Sequence, residues 1–143
     1  MEKCIFCAIA SKEAAANVVF EDDECMAFLD IDPLFKGHCL LVPKKHVYTV
    51  MDVPDTLLSH LCNVSKKISI ALKEAMHCDG VLILNNNVVS QSVPHFHIQI
   101  IPRNKGDGLR GFLWPRHGYE SDAEAASIGK RIRSIIEREQ IRS

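Results

Sequence analysis

The chain has 143 residues, enough for one domain with a single core and little beyond it. At 47% hydrophobic, 24% charged and net charge -1 it carries no basic field to hold a nucleic-acid backbone, and 6% aromatics offer single strands no stacking platform. No apolar run reaches the roughly 18 residues of a membrane span, and the opening Met1-Glu2-Lys3-Cys4-Ile5-Phe6-Cys7 lacks a signal peptide's apolar middle. The expectation is a cytoplasmic protein folded as a single domain over 1–143, with neither membrane nor nucleic acid as partner. Its six cysteines are then expected as free thiols. Cys25, Cys39 and Cys62 lie in apolar stretches and read as small hydrophobes.

Taken in chain order, Val18-Val19-Phe20 and Cys25 to Leu29 are β-rich runs around the acidic turn Glu21-Asp22-Asp23-Glu24, which predicts a hairpin. Asp32-Pro33 and Lys36-Gly37 punctuate the next connection. A buried strand follows over His38 to Val42, stopped by Pro43. Leu57, Leu61, Val64, Ile68, Leu72 and Ala75 recur at helical spacing and predict one long amphipathic helix between Pro54 and Met76, with Asp52 or Asp55 as its cap. Val81 to Leu84 reads as a short strand ending in the turn-prone run Asn85-Asn86-Asn87. His95 to Ile101 is predicted as a further strand, closed by Pro102. A polar helix is expected over 121–140, with Ile128, Ile132, Ile135 and Ile136 on one side. Locally paired strands with helices between them argue for the α+β class.

The stretch His95-Phe96-His97-Ile98-Gln99-Ile100-Ile101 carries the most chemistry. In a strand, His95, His97 and Gln99 share one face while Phe96, Ile98 and Ile100 anchor the other. Three polar, nitrogen-bearing groups in a row can converge on an anion or a metal. On pattern alone, an ordinary half-exposed amphipathic strand remains an alternative.

This stretch resembles the signature of the histidine triad family, His-x-His-x-His followed by apolar residues. Gly37-His38-Cys39-Leu40-Leu41-Val42-Pro43-Lys44-Lys45-His46 is similar to that family's Gly-His-x-Leu-x-x-Pro-x-x-His segment, and Phe28-Leu29-Asp30-Ile31 to its nucleoside-binding strand. Gln91-Ser92-Val93 sits just before the triad, as in relatives. The likeness runs from Cys4 to about Trp114. It implies a HIT-like α+β fold: an antiparallel sheet of about five strands, one long helix and a C-terminal helix.

The resemblance also implies roles. His97 occupies the position of the nucleophile that attacks the α-phosphorus of a nucleotide, with a backbone carbonyl on Nδ1 leaving Nε2 free. Gln99 replaces the third histidine; its amide can donate to a phosphoryl oxygen but neither carries charge nor titrates. Ser92 matches a hydroxyl that binds phosphate or the leaving oxygen. Asp30 matches the acid that takes the ribose hydroxyls, although a turn-capping Asp reads equally from the residues. Phe6, Ile9, Phe28 and Ile31 align with the walls of the base pocket. Asn86 aligns with a phosphate-contacting amide, with Asn85 and Asn87 as alternatives, and Gln91 with the neighbouring substrate contact. His38 is assigned to support of the triad. Val88-Val89-Ser90 stands where relatives are rich in glycine, which reduces backbone freedom near a phosphate.

Cys4-x-x-Cys7 is a chelate-sized pair, and His46 and His95 can complete a tetrahedral Cys2His2 site. A Cys-x-x-Cys also serves redox motifs. Bacterial relatives look the same at all four positions, which implies structural zinc. The function implied is hydrolysis at the α-phosphate of a purine nucleoside phosphoramidate or dinucleoside polyphosphate through a nucleotidyl-histidine. A His-x-His-x-Gln pattern also resembles nucleotidyltransferases and phosphorylases that use phosphate as acceptor, and a nucleotide-binding protein with little turnover is the third reading. Relatives form two-fold homodimers through the long helix, although burial within one chain explains the same pattern. Trp114-Pro115-Arg116-His117 is expected over the nucleotide or against a second subunit. Arg131, Arg133, Arg138 and Arg142 are expected in solvent.

Overall fold

The computed structural model describes residues 4–109 and 116–142. The chain divides into two compact units, Met1–Asp107 and Gly108–Ser143. The first contains α1 (Ile5–Ala10), β1 (Val18–Glu21), β2 (Cys25–Leu29), β3 (Cys39–Pro43), a 3-10 turn (Val50–Asp52), α2 (Asp55–Met76), β4 (Gly80–Leu84) and β5 (Ile98–Arg103). The five strands form one antiparallel sheet in the order β1-β2-β3-β5-β4. This is the α+β architecture expected from the sequence.

Short-range chemistry sets the elements. Asp22 Oδ1 accepts the backbone N–H groups of Glu24 and Cys25 at 2.9 and 2.8 Å, which closes the β1–β2 turn. Gly37 takes φ +97 on the approach to β3, and a Cβ there would lie 3.0 Å from Met76 Cγ. Only glycine fits that left-handed turn beside α2. The long helix α2 buries Leu57, Leu61, Val64, Ile68 and Leu72 and ends at His77 in the left-handed conformation. Neither predicted aspartate caps it. Pro54 occupies the N-cap, and Asp52 instead accepts the Thr49 N–H and hydroxyl at the 3-10 turn.

The three central strands are buried on both faces. Cys25 and Ala27 of β2, Cys39 and Leu41 of β3, and Ile98 and Ile100 of β5 pack with Phe96 against α2. Met26 and Phe28 of β2, with Leu40 and Val42 of β3, point the other way and pack against Phe6 and Ile9 of α1. That alternation follows from the two-residue period of a strand. Each fully buried Leu or Ile contributes about 1.5–3 kcal/mol, so the larger α2 layer carries most of the stability. Cys25 and Cys39 are core residues as expected, but Cys62 is exposed on α2.

Strand β5 starts later than the sequence suggested. His95 and His97 precede it, and the Phe96 N–H donates to the Val47 carbonyl at 2.7 Å, off the ladder. The last registered partner of β3 is Ile98, opposite Leu41, although β3 itself runs on to Pro43.

The second unit holds α3 (Asp122–Arg142), where Ser121 Oγ accepts the Glu124 N–H at 3.1 Å. On its expected apolar side, Ile132, Ile135 and Ile136 are each at least half exposed. Arg131, Arg133 and Arg138 are exposed, as expected. Trp114 and Pro115 lie outside the described residues, as does the Arg142 side chain.

Candidate active site and metal centre

The α1 face of the sheet opens into a cavity of ≈ 220 Å³. Phe6 and Ile9 from α1, Phe28 from β2 and Leu40 from β3 form its apolar wall, with Ala15 and Ala16 from the following loop. Asp30, Ser92, His97 and Gln99 supply the polar groups. Cross-strand register explains the grouping: Phe28 lies opposite Leu40, and Leu40 opposite Gln99, so the three stand in a row on one face. Ile31 reaches the same cavity but is 97% exposed, so it sits at the mouth rather than in the wall.

His97 is fixed at one nitrogen and open at the other. Its Nδ1 lies 2.8 Å from the His95 carbonyl, which can only accept, so Nδ1 carries the hydrogen. Its Nε2 has no hydrogen-bond partner among the described residues, and no buried polar side-chain atom there lacks one. Although the ring is 3% exposed, Nε2 therefore reaches the cavity solvent. Phe6 holds the ring edge-on, with centroids 5.2 Å apart and planes at 79°.

Gln99 is fixed too. His38, 5% exposed, places Nε2 at 3.0 Å from Gln99 Oε1, and its Nδ1 accepts the Leu34 N–H at 3.2 Å. Burial holds the His38 imidazole below its usual range, although Asp30 lies 3.7 Å away and Gln99 favours the charged form. Asp30 Oδ1 accepts the Asp32 N–H at 2.9 Å, the turn-capping contact that its sequence position suggested, and Asp30 still borders the cavity.

The asparagine run divides its work. Asn85, not Asn86, meets the backbone of His97: its Nδ2 donates to the His97 carbonyl at 2.8 Å. Asn87 accepts the Val50 N–H and donates to Asn85 Oδ1. Asn86 Nδ2 donates to the Ser90 carbonyl. Gln91 accepts the Val88 N–H and donates to the Tyr48 carbonyl. Asn86 and Gln91 thus brace the 86–91 loop and are absent from the cavity wall. In that loop Val88 and Ser90 take φ of 70 and 59, left-handed conformations that glycine would adopt without strain.

Behind His97, four side chains converge. Cys4 Sγ is 3.4 Å and Cys7 Sγ 3.6 Å from His95 Nδ1, and Cys7 Sγ is 3.2 Å from His46 Nδ1. All four ligand atoms lie within 4.8 Å of one another. Zinc bonds of about 2.3 Å to sulfur and 2.0 Å to nitrogen put tetrahedral neighbours about 3.5 Å apart, so the spacing fits that ion. His95 is fully buried and donates Nε2–H to the Pro43 carbonyl at 2.8 Å, which leaves Nδ1 as the lone-pair nitrogen toward the thiols. Burial holds its pKa down at about 4, and the Pro43 bond recovers only part. Burial, and then Cys4, push the Cys7 thiol up. A cation bound there would favour the thiolate.

The sequence missed α1. Its six residues are too few for a periodic signal, yet they place Phe6 and Ile9 in the cavity wall. The pairing of His38 with Gln99, 61 residues apart, had no local signal either.

The HIT domain family matches residues 11–106. The chain belongs to the HIT domain family. It is 38% identical to Protein hit of Bacillus subtilis over 141 residues, covering 93% of this chain and 97% of that one. It is 34% identical to the adenylylsulfatase HINT3 of Arabidopsis thaliana (91% of this chain, 68% of that one) and 34% identical to the adenosine 5'-monophosphoramidase HNT1 of Saccharomyces cerevisiae (93% and 80%). Among solved structures, SMU.412c from Streptococcus mutans superposes with a TM-score of 0.85 at 32% identity, over 95% of this chain and 87% of that one. A Zn-bound histidine triad family protein from Mycobacterium smegmatis superposes with a TM-score of 0.72 at 36% identity, over 75% and 79%. Among the described residues, no helix is long and apolar enough to cross a membrane.

Proposed function

We propose that this HIT protein cleaves purine nucleotides at the α-phosphate through a covalent nucleotidyl intermediate on His97. The observation that carries this is the divided imidazole: Nδ1–H bound to the His95 carbonyl and Nε2 open to the cavity. Substrate classes are purine nucleoside phosphoramidates and dinucleoside polyphosphates. HIT relatives whose names state an adenylylsulfatase and a phosphoramidase support chemistry at an adenylate phosphorus.

The base packs on Phe6, Ile9, Phe28 and Leu40, and Asp30 accepts the ribose hydroxyls. Nε2 attacks the phosphorus while the His95 carbonyl stabilises the imidazolium that forms. Gln99 and Ser92 donate to the phosphoryl oxygens and the leaving atom, as preorganised dipoles facing developing charge. Water then releases the nucleotide. A second reading has phosphate as the acceptor in place of water, and an uncharged donor at Gln99 is what favours it.

Cys4, Cys7, His46 and His95 would hold zinc, which supplies a closed four-ligand shell and no catalytic chemistry. It would tie α1, and with it Phe6, to the segment that carries His97. We further read the protein as a cytoplasmic homodimer whose site-bearing fold is the HIT domain.

The test is turnover of adenylated and guanylated substrates with and without phosphate, read by product mass. His97→Ala is expected to lower turnover by at least about 10³-fold while AMP still binds. Turnover near the wild-type rate in that variant would refute the reading.

A further inference from the structure

The bonds around Gln99 fix which way its amide faces, and this decides what the site can do with a leaving group. The Leu34 N–H cannot accept, so His38 Nδ1 must be the lone-pair nitrogen and the neutral ring carries its hydrogen on Nε2. That Nε2–H requires an oxygen opposite it, which turns Gln99 Oε1 toward His38 and the NH2 group away from it. The NH2 has no protein partner among the described residues, and Gln99 borders the cavity. Gln99 is thus a fixed, neutral donor. His38 itself is not in the cavity wall, and its hydrogen is engaged by Gln99.

The other polar groups of the wall are Asp30, Ser92 and His97. Asp30 already accepts a backbone N–H, the Ser92 hydroxyl is a very weak acid, and the single N–H of His97 is bound to the His95 carbonyl. Among the described residues, the wall contains no lysine or arginine. Nothing among the described residues of the cavity is placed to hand a proton to a departing group.

We propose that the site selects its substrates by their leaving group: it cleaves nucleotides whose leaving group departs as a stable anion (a carboxylate, a sulfate or a phosphate) and works poorly on P–N bonds to amines. This rests on His97 as the nucleophile and narrows the substrate classes given above. In the step, the Nε2 lone pair forms the N–P bond, and the P–O bond breaks with its electron pair leaving on the departing oxygen. The ring becomes a cation, its Nδ1–H still on the carbonyl. Water then bonds to phosphorus, the N–P pair returns to Nε2, and the proton of water passes to solvent. An oxyanion that is stable at neutral pH needs no proton to leave. An amine does, because the P–N pair would otherwise depart as a strongly basic amide ion.

His38 acts here as a positioning residue through Gln99. If so, the double variant His38→Ala/Gln99→Ala slows turnover no more than Gln99→Ala alone.

The decisive experiment measures kcat/KM for AMP aryl esters of graded leaving-group acidity, with adenosine 5'-phosphosulfate and an AMP N-alkyl phosphoramidate alongside. In the wild type the rate is expected to fall at least about threefold per unit rise in leaving-group pKa, the mark of departure without proton donation. In Gln99→His, whose imidazole can supply a proton, the ratio of sulfate to phosphoramidate cleavage is expected to shrink at least about tenfold. A flat dependence in the wild type overturns the proposal, whether or not the variant folds. An unchanged ratio in a folded Gln99→His protein overturns it as well. A nucleotidyl adduct on the wild type with a flat dependence ends this inference alone. Absence of any adduct with every substrate ends the reading of His97 beneath it.

Discussion

The two faces of the sheet are built from the same strands and do opposite work. On the α2 face, Cys25, Ala27, Leu41, Ile98 and Ile100 meet Leu57, Leu61, Val64 and Ile68 in a dry layer, and among the described residues no Asp, Glu, Lys or Arg is buried. On the α1 face a helix of six residues covers part of the sheet and leaves a cavity edged by His97, Gln99, Asp30 and Ser92. Neighbouring residues of one stretch take part in each: Ile98 is core, while His97 and Gln99 beside it border the cavity. A rigid layer on one side lets the other tolerate buried polar groups in fixed orientations, each held by a hydrogen bond.

The largest expected effect comes from the dry face. Leu61→Ala, at a fully buried position, should lower unfolding free energy by about 3–4 kcal/mol and leave kcat/KM of the folded protein within about twofold. Urea titration beside steady-state kinetics checks this, and a large kinetic defect at a temperature where the variant is folded would break the division of labour. Next comes Cys7→Ser, which removes one ligand from the cluster behind His97. Its expected cost is roughly 2–3 kcal/mol, read as a lowered Tm that chelator lowers no further.

A smaller effect belongs to the β1–β2 turn, which is not part of the cavity wall. Burial pushes the Asp22 carboxyl up, but the Cys25 and Glu24 N–H groups and His60, 2.6 Å from Oδ2, outweigh it and hold the pKa at about 2. The folded value lies below the ordinary aspartate value of 3.8, so this stabilisation is present above that pH and is lost as pH falls toward 2. Asp22→Asn should cost about 1 kcal/mol at pH 7 and flatten the stability curve between those values, as measured by urea titration at several pH values. Smallest of all, Val88→Gly should raise stability by about 0.5–1 kcal/mol by removing a β-branched residue from a left-handed position. A lower Tm in that variant would show that the loop holds its shape for a reason other than backbone tolerance.

What the sequence revealed follows the range of the interaction involved. The helix α2 was legible because six apolar residues repeat at helical spacing, and the hairpin because an acidic turn separates two β-rich runs. The faces of Phe96, His97, Ile98 and Gln99 were legible from alternation, although β5 begins only at Ile98. There the Phe96 N–H goes to the Val47 carbonyl, a partner far along the chain, and alternation carries no record of it. The helix α1 is too short for a periodic signal, and its position depends on Phe6 packing against Phe28 and His97. Asn85, Asn86 and Asn87 are one residue type in a row; only tertiary partners distinguish the one that meets the His97 carbonyl.

The central claim is that the open nitrogen of His97 takes the nucleotide. Quenching the wild type in base during turnover of an AMP aryl ester, then mapping its peptides by mass, tests this most directly. The account predicts one peptide containing His97 heavier by an adenylyl group, absent from His97→Ala. Product formed with no such peptide, or the added mass on a different residue, would contradict it.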